Sequence, residues 1–407
     1  MRLRLLDLLV CPIDKTRLEL VQWETSNADL SAGELSRIRR LGLDPDLFSK
    51  EIITGVLLNR SKKIFYPVHQ GIPRMLVFPT AVAKHFVQKH AERIARELPG
   101  FTLAQNHPMP GEQTVLRTFS TEWVNYDWED GSYWNLTPAV MYKSINFMLD
   151  LGRLPVKNKL VLEVGTGIGG IANYMAETEE CELVGIDLSH AVDPAYKHFG
   201  RNIFLHLVQA SAFAPPFKDN VFDLVYSWGV LHHTFSTKAA FDRVCKLPKL
   251  GGRLYIWVYS PYDEQRTLKR RVLMFMEKVI RPICWRLPAN LQTMVLLPII
   301  PLYLIHQNFY ITRGGSGYVR YGWREALHAA RDRFTPRYVH RHTQDQVCTW
   351  FKQAGYDKLR CASKQPHPEY VPISFIAATA VEGVRSLPFA GESTHAHPGT
   401  IVTESAG

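Results

Sequence analysis

Apolar and polar positions along this chain follow two rhythms, and the middle of the sequence shows them most clearly. At 160–164 an apolar run carrying a single acid passes into a glycine-dense turn, after which 171–177 reads as a helix. That is the pattern of a buried parallel strand feeding its crossover. The unit then recurs. Residues 182–189 give a second short strand ending near Asp187, 206–213 a third strand and its loop, and 217–233 a turn and a fourth strand that ends at 227–229. A turn and fifth strand follow at 247–259, and 356–363 with 371–381 supply the last two. Thr137 and Pro138 cap a helix running to about position 152, and Thr343 with Gln346 forms a capping box into 347–354, which Gly355 ends.

The N-terminal part is patterned differently. Residues 1–78 open on a helix-like apolar stretch, then Cys11-Pro12-Ile13-Asp14, strand candidates at 17–23 and 52–58 around a polar helical insertion, and 64–68 leading into 71–76. From 79 to 117 a basic helix at 81–98 gives way to a Pro/Gly-rich linker at 107–111, and an aromatic-rich approach follows at 118–128. The strand–helix alternation breaks between 263 and 320. There Leu268, Val272, Leu273, Met276, Val279 and Ile280 recur at helical spacing opposite Lys269, Arg270, Arg271 and Lys278, making a basic amphipathic helix. The apolar piece at 294–305 is too short, and too broken by Pro298 and Pro301, to span a bilayer. A lid packed on its own domain or on a partner subunit is the expected role, and a helix lying in a membrane interface or lining a greasy cleft is the other. The tail at 385–407 is small, polar and Pro/Gly-containing and is expected to be disordered.

The chemistry centres on Glu163-Val164-Gly165-Thr166-Gly167-Ile168-Gly169. Glycine is needed in such a turn because the chain reverses within a few residues, often at positive φ, and because the backbone must approach a ligand closely. Alone the pattern is weak, since such turns serve dinucleotides, phosphates and plain packing alike. Asp187 strengthens it: about twenty residues on, a carboxylate can accept hydrogen bonds from both ribose hydroxyls of an adenine nucleoside. An NAD turn has no acid just ahead of its glycines, whereas Glu163 stands there.

This order resembles the first motif of the class I S-adenosylmethionine-dependent methyltransferases. The resemblance implies an α/β fold with a Rossmann-like seven-stranded sheet, mostly parallel with an antiparallel last strand, and S-adenosyl-L-methionine as cofactor. Glu163 would orient the methionine end through water, beside Gly165, Thr166, Gly167 and Gly169. Asp187 and Leu188 would sit at the ribose. Ser211, Ala212 and Phe213 would surround the adenine, with Ser211 at a position where the family often has an aspartate. Ser227 and Trp228 would face the transferring methyl group. The strongest likeness lies at 217–233, which lacks the Asn/Asp-Pro-Pro-aromatic run of members that methylate nucleobase or glutamine amines. His232 and His233 open the next helix, where one is a candidate general base and where both have packing or capping as the alternative. The stretch 332–342 resembles loops that lie over the substrate side in bacterial relatives, so Tyr338, His340 and His342 join Tyr259 as candidate substrate contacts; solvated loop residues are the plainer reading. The aromatics at 118–128 resemble approaches that cross the cofactor mouth, and packing on the sheet explains them equally well.

Residues 1–78 resemble a small zinc-ribbon-like domain that serves as activator subunit of several tRNA and protein methyltransferases. The likeness is carried by 5–12 and by the stretch from Tyr66 to Leu76. Zinc in such ribbons takes four thiolates or imidazoles, and this chain keeps only Cys11, with Asp14 and Asn59 near the other positions. A degenerate ribbon that binds no metal and is held by its apolar core is expected.

Composition narrows the rest. The chain has 407 residues, long enough for two domains, with 46% hydrophobic and 21% charged positions, as in an ordinary globular protein. Asp7 splits the first apolar stretch and no small-residue cleavage site follows, so 1–11 reads as mature chain. Six cysteines without paired spacing suit a reduced, cytoplasmic protein, with peripheral membrane contact through 263–320 left open. The net charge of +10 favours acidic partners but is spread along the chain, and nucleic acid is not the expected partner. The expected layout is a ribbon-like domain at 1–78, a helical linker at 79–117 and a methyltransferase domain at 118–384. The expected reaction is O-methylation of a small-molecule, sugar or lipid-like acceptor. Two alternatives stand beside it: a tRNA or protein methyltransferase carrying its activator in cis, and a cofactor-binding scaffold that has lost catalysis, for which Ser211 is the hint.

Overall fold

The computed structural model describes residues 1–124, 136–261, 268–302, 304–305, 308, 320–364 and 378–388. Positions 125–128 of the aromatic approach, 371–377 of the expected last strand and the tail from 389 lie outside the described residues.

The first sheet holds β1 (Glu19–Asn27), β2 (Lys50–Asn59), β3 (Ile64–His69) and β4 (Ile72–Pro73) in antiparallel sequence, and β5 (Thr102–Leu103) adds to β3 in parallel. The second holds β6 (Leu160–Val164), β7 (Glu182–Asp187), β8 (Leu205–Gln209), β9 (Phe222–Trp228), β10 (Pro248–Tyr259), β11 (Tyr356–Cys361) and β12 (Ala378–Arg385). Its order is β11-β12-β10-β9-β6-β7-β8, with β6 to β10 parallel and β12 antiparallel to both neighbours. The expected Rossmann-like seven-stranded sheet is therefore present. β8 is buried along its whole length and β6 and β7 nearly so, which is why apolar residues dominate them: both faces of a parallel sheet are covered. Strand order reverses between β6 and β9, and in such sheets the crevice at the carboxyl ends beside that reversal receives ligands.

The two sheets share one core. Met1, Leu5, Leu9, Tyr66 and Met75 cluster with Leu162, Val184, Val208 and Val225. The free edge of β8 is covered by the N-terminal domain: Met75 N–H donates to the Gln209 carbonyl at 2.8 Å, and Val10 N–H to that of Pro216 at 2.9 Å. A covered edge removes a site for stray strand pairing. Polar contacts cross the same seam. Arg4 Nε lies 2.9 Å from Glu182, whose carboxylate also meets His206 Nε2 at 3.1 Å.

At the positions that hold metal ligands in a zinc ribbon, the side chains of this domain bind each other. Asn59 Nδ2 donates to both Asp14 oxygens at 3.0 Å, Thr16 Oγ1 donates to one at 2.7 Å, and Cys11 Sγ sits 3.4 Å from the Tyr66 hydroxyl. Burial pushes the Asp14 carboxyl up, but the hydrogen bonds from Thr16 and Asn59 outweigh it and hold the group at about 2. Among the described residues no group of histidine, cysteine or acidic side chains is arranged to hold a metal ion.

Two connections differ from the sequence reading. The basic helix at 81–98 is two helices, Ala81–Lys89 and Ala91–Glu97, broken at His90, whose ring packs on Phe86 and Trp23. Of the linker and aromatic approach, residues Glu112–Val124 form a helix that starts after Gly111 at φ +74°. Val115, Phe119 and Trp123 lie four apart on it and so share one face, turned to the cavity described below.

The described part of the insertion packs against its own domain. In helix Leu268–Cys284, Met276, Ile280 and Cys284 pack with Leu296 and Phe334. Buried Glu277 gathers Arg281, Arg333 and Arg341 at 2.8–3.2 Å. The opposite stripe, Phe275, Val279 and Ile283, is exposed, as are Met294 and Leu302. No described helix is long and apolar enough to cross a membrane.

Candidate functional site

The turn after β6 is built as its glycines suggest. Gly165, Gly167 and Gly169 have φ of +90°, +54° and +73°, a region side chains disfavour. A Cβ on Gly165 would lie 2.1 Å from Val230 Cγ2, so the close approach there also excludes larger residues. Gly167 N–H donates to Asp187 Oδ2 at 2.9 Å, while Asp187 Oδ1 accepts from the Ser189 N–H at 2.8 Å and its hydroxyl at 2.7 Å. Asp187 thus ties the glycine turn to the end of β7 and remains at the rim of the cavity.

Glu163 is 5% exposed, and its Oε2 accepts the Thr166 hydroxyl at 2.8 Å. Burial pushes its carboxyl up to about 7; the Thr166 and Tyr226 hydroxyls favour the ionised form, and the Asp187 charge opposes it. A buried carboxyl shifted in this way and lining a cleft is a candidate for a functional role.

The cavity runs along the carboxyl ends of the strands. Residues 163–171, 186–189 and 210–213 line one half; 228–230, 233–235, Trp257, Tyr259 and Asp332 line the other. Glu112, Val115, Phe119 and Trp123 roof it. Trp228 stacks on Trp257 with centroids 5.9 Å apart and planes at 10°, giving the second half an aromatic wall. The Tyr259 hydroxyl donates to Asp332 Oδ2 at 3.2 Å, and burial with that carboxylate beside it raises the phenol well above its ordinary range.

His233 lies in this second half with Nδ1 3.1 Å from the Tyr338 carbonyl oxygen. A carbonyl only accepts, so Nδ1 carries the proton and Nε2 keeps a lone pair. Burial lowers its pKa from the ordinary 6.5, which keeps the ring neutral at pH 7.

Of the residues expected at the site, Glu163, Gly165, Thr166, Gly167, Gly169, Asp187, Leu188, Ser211, Ala212, Phe213, Trp228, His233 and Tyr259 all line this cavity. The others lie behind it. Ser227 is fully buried and donates to the Val164 carbonyl at 3.0 Å, holding β9 to β6. His232 is fully buried with its ring centroid 4.2 Å from His233 and 4.0 Å from Tyr259, and burial, with the surrounding imidazoles and Arg341 adding to it, lowers its pKa well below the ordinary 6.5. His340 binds the Thr234 carbonyl through Nε2 at 3.0 Å, and His342 N–H donates to the Tyr259 carbonyl at 2.9 Å. Tyr338 supplies its carbonyl to His233 and packs its ring against Gly111. The histidine loop is a buttress that fixes the cavity wall from outside.

Glu112 and Trp257 line the cavity and were not singled out by their sequence context, whereas Phe119 and Trp123 belong to the aromatic stretch expected at the cofactor mouth and Asp332 opens the stretch expected on the substrate side. The four-residue spacing of Val115, Phe119 and Trp123 was the available signal. Asp332 carried its signal as the first residue of the 332–342 stretch, but it reaches the cavity from the end of helix Trp323–Phe334 and not from the loop that follows.

The strand order, the glycine turn and the paired acids define a nucleoside-binding α/β domain of the methyltransferase class. Comparison with known proteins agrees: residues 162–256 match the family model of a methyltransferase domain, and residues 2–71 that of a Trm112p-like protein. The chain carries a methyltransferase domain preceded by a Trm112p-like domain. A phosphoethanolamine N-methyltransferase of Triticum aestivum is 39% identical over 101 residues, covering 24% of this chain and 20% of that protein. A sterol 24-C-methyltransferase of Saccharomyces cerevisiae is 26% identical over 168 residues, covering 37% and 43%. The chain thus spans less than half the length of these curated relatives. Among solved structures, a Haemonchus contortus phosphoethanolamine N-methyltransferase with phosphomonomethylethanolamine and S-adenosylhomocysteine aligns at TM-score 0.42 and 14% identity, covering 70% of this chain and 62% of that one. A complex of the Haloferax volcanii Trm112 methyltransferase activator with a putative methyltransferase aligns at TM-score 0.36 and 14% identity, covering 61% and 93%.

Proposed function

We propose that this protein is an S-adenosyl-L-methionine-dependent methyltransferase that acts on a small-molecule or lipid-like acceptor, at oxygen. The observation that carries the reading is the Gly167–Asp187 hydrogen bond beneath three left-handed glycines, which opens the turn onto the cavity between two acids. The residues fit the cofactor. Gly167 leaves bare backbone at the cavity, Asp187 offers its remaining lone pairs to ribose hydroxyls, and Glu163 supplies a buried carboxyl for the cationic amino-acid end. When bound, the sulfonium provides an electrophilic methyl group for in-line transfer.

The chain's own residues do the rest. Trp228, Trp257 and Tyr259 exclude water from the acceptor half and present flat faces that orient an organic acceptor. His233 Nε2 takes the acceptor's hydroxyl proton, and the Tyr338 carbonyl stabilises the imidazolium through Nδ1–H. An amine acceptor is the second reading, favoured by Asp332 beside those aromatic faces, a combination that suits a cation. Six free cysteines support a cytoplasmic, reducing location, and the exposed Phe275–Val279–Ile283 stripe supports contact with a lipid surface. The N-terminal domain, sharing a core with the catalytic one, serves as its structural half in cis.

The test is calorimetric titration of the full chain with S-adenosylhomocysteine, followed by incubation of metabolite and lipid extracts with methyl-labelled cofactor. Saturable binding and a labelled small product are expected. A chain that takes up no cofactor defeats the reading, and label appearing in RNA or protein moves the acceptor to the macromolecular class.

A further inference from the structure

The end of the cavity beyond Asp187 is lined by 210–213, and the strand ends there provide no charged acceptor: Ser211 spends Oγ on accepting the Phe213 N–H at 3.1 Å. A carboxylate stands at this place nonetheless, delivered by another element. Glu112, the first residue of helix Glu112–Val124, lines the same end and is 4% exposed. Its Oε2 accepts the Met109 N–H at 2.8 Å, and its Oε1 is buried without a hydrogen bond of normal geometry. Burial raises this carboxyl's pKa, while the Ser211 hydroxyl and the Met109 N–H pull it back. A carboxylate oxygen has two lone pairs, so even with the Ser211 hydroxyl turned to this carboxyl a buried lone pair is left over, and a ligand N–H can take it.

Resting on the cofactor reading above, we propose that Glu112 reads the exocyclic amino group of the cofactor's adenine, so that the helix between the two domains completes the pocket and sets its nucleobase specificity. With the ribose held at Asp187, the base extends toward the neighbouring strand end, where Ala212 and Phe213 offer apolar faces and Glu112 Oε1 the acceptor. The Ser211 hydroxyl proton turns to Glu112 and fixes its orientation. A 6-oxo purine would set a carbonyl oxygen against this carboxylate, and the pocket should reject it.

The experiment is calorimetric titration of the full chain with S-adenosylhomocysteine and with its 6-oxo counterpart, S-inosylhomocysteine, comparing wild type with Glu112→Gln and Glu112→Ala. Wild type should prefer the amino purine by roughly 10- to 100-fold, the range of a charge-assisted hydrogen bond. Glu112→Gln keeps an oxygen for Met109 N–H and offers an amide N–H to the 6-oxo group, so its preference should collapse to within a few-fold or reverse. Glu112→Ala should lose preference by weakening the adenine ligand alone. Unchanged affinities and an unchanged ratio in both variants overturn the assignment while the cofactor reading stands. Failure of wild type to bind S-adenosylhomocysteine overturns both.

Discussion

Glu163→Gln separates the demands of the empty pocket from those of the filled one. A carboxyl moved from 4.5 in the unfolded chain to about 7 in the folded one disfavours its own ionisation by about 3 kcal/mol, at about 1.4 kcal/mol per pH unit. Because the folded value is the higher one, this loss of stability is absent below pH 4.5, grows as pH rises toward 7, and stays constant above. Glutamine at 163 keeps an oxygen for the Thr166 hydroxyl but carries no charge to bury. The variant should therefore be the more stable protein at pH 8 and match wild type near pH 4.5. With an unfolding entropy of about 2.1 cal/mol/K per residue, a 407-residue chain unfolding as one unit changes by roughly 0.85 kcal/mol per degree, so the gain in Tm is about 3–4 °C. Cofactor affinity should move the other way, since the cationic end loses its carboxylate. Scanning calorimetry at the two pH values, with S-adenosylhomocysteine titration at pH 8, reads both effects. A variant less stable than wild type at pH 8, or equally stabilised at both pH values, would refute the claim that Glu163 is held against its ionisation for the ligand's sake.

Three further outcomes are expected. Gly165→Ala forces a Cβ onto Val230 at φ +90° and should cost roughly 1–3 kcal/mol in urea unfolding while abolishing cofactor binding; unaltered binding would place the cofactor elsewhere. His233→Asn should lower kcat by roughly 10²- to 10⁴-fold with the cofactor Kd unchanged. In wild type the acid limb of the rate profile should fall below pH 6.5, because burial lowers this imidazole's pKa; a variant of normal kcat removes His233 from proton transfer. Ser227→Ala should cost about 1 kcal/mol of stability and leave cofactor affinity as it was, since its hydroxyl serves the Val164 carbonyl; a large rise in Kd would return Ser227 to the site.

The half of the cavity proposed for the cofactor was legible as a glycine turn between two acids because local sequence suffices to make it. A strand, a turn that only glycine tolerates and an acid at the next strand's end fall within 163–187, and their mutual geometry is fixed by pairing of β6 with β7. The acceptor half was legible only in part. His232 and His233 are adjacent in sequence and alike in chemistry, yet the 3₁₀ turn at Leu231–His233 puts one ring at the cavity and the other behind Tyr259. Tyr338, His340 and His342 stood out as polar groups on a loop, and they proved to be spent on backbone carbonyls and on packing.

Periodicity and residue chemistry along the chain determined the strands, their parallel arrangement, the glycine turn with its two acids and the likeness of both domains to known ones, because each depends on neighbours within a few turns or on a repeating pattern of burial. Which histidine faces the cleft, the entry of Glu112 into its wall, and the fusion of two sheets into one core were decided only when distant segments met. Contacts such as Arg4 with Glu182 join positions far apart in sequence, so no local pattern encodes them. They arise because the edge of β8 and the cavity's open side both had to be covered, and the fold selects which residues do so.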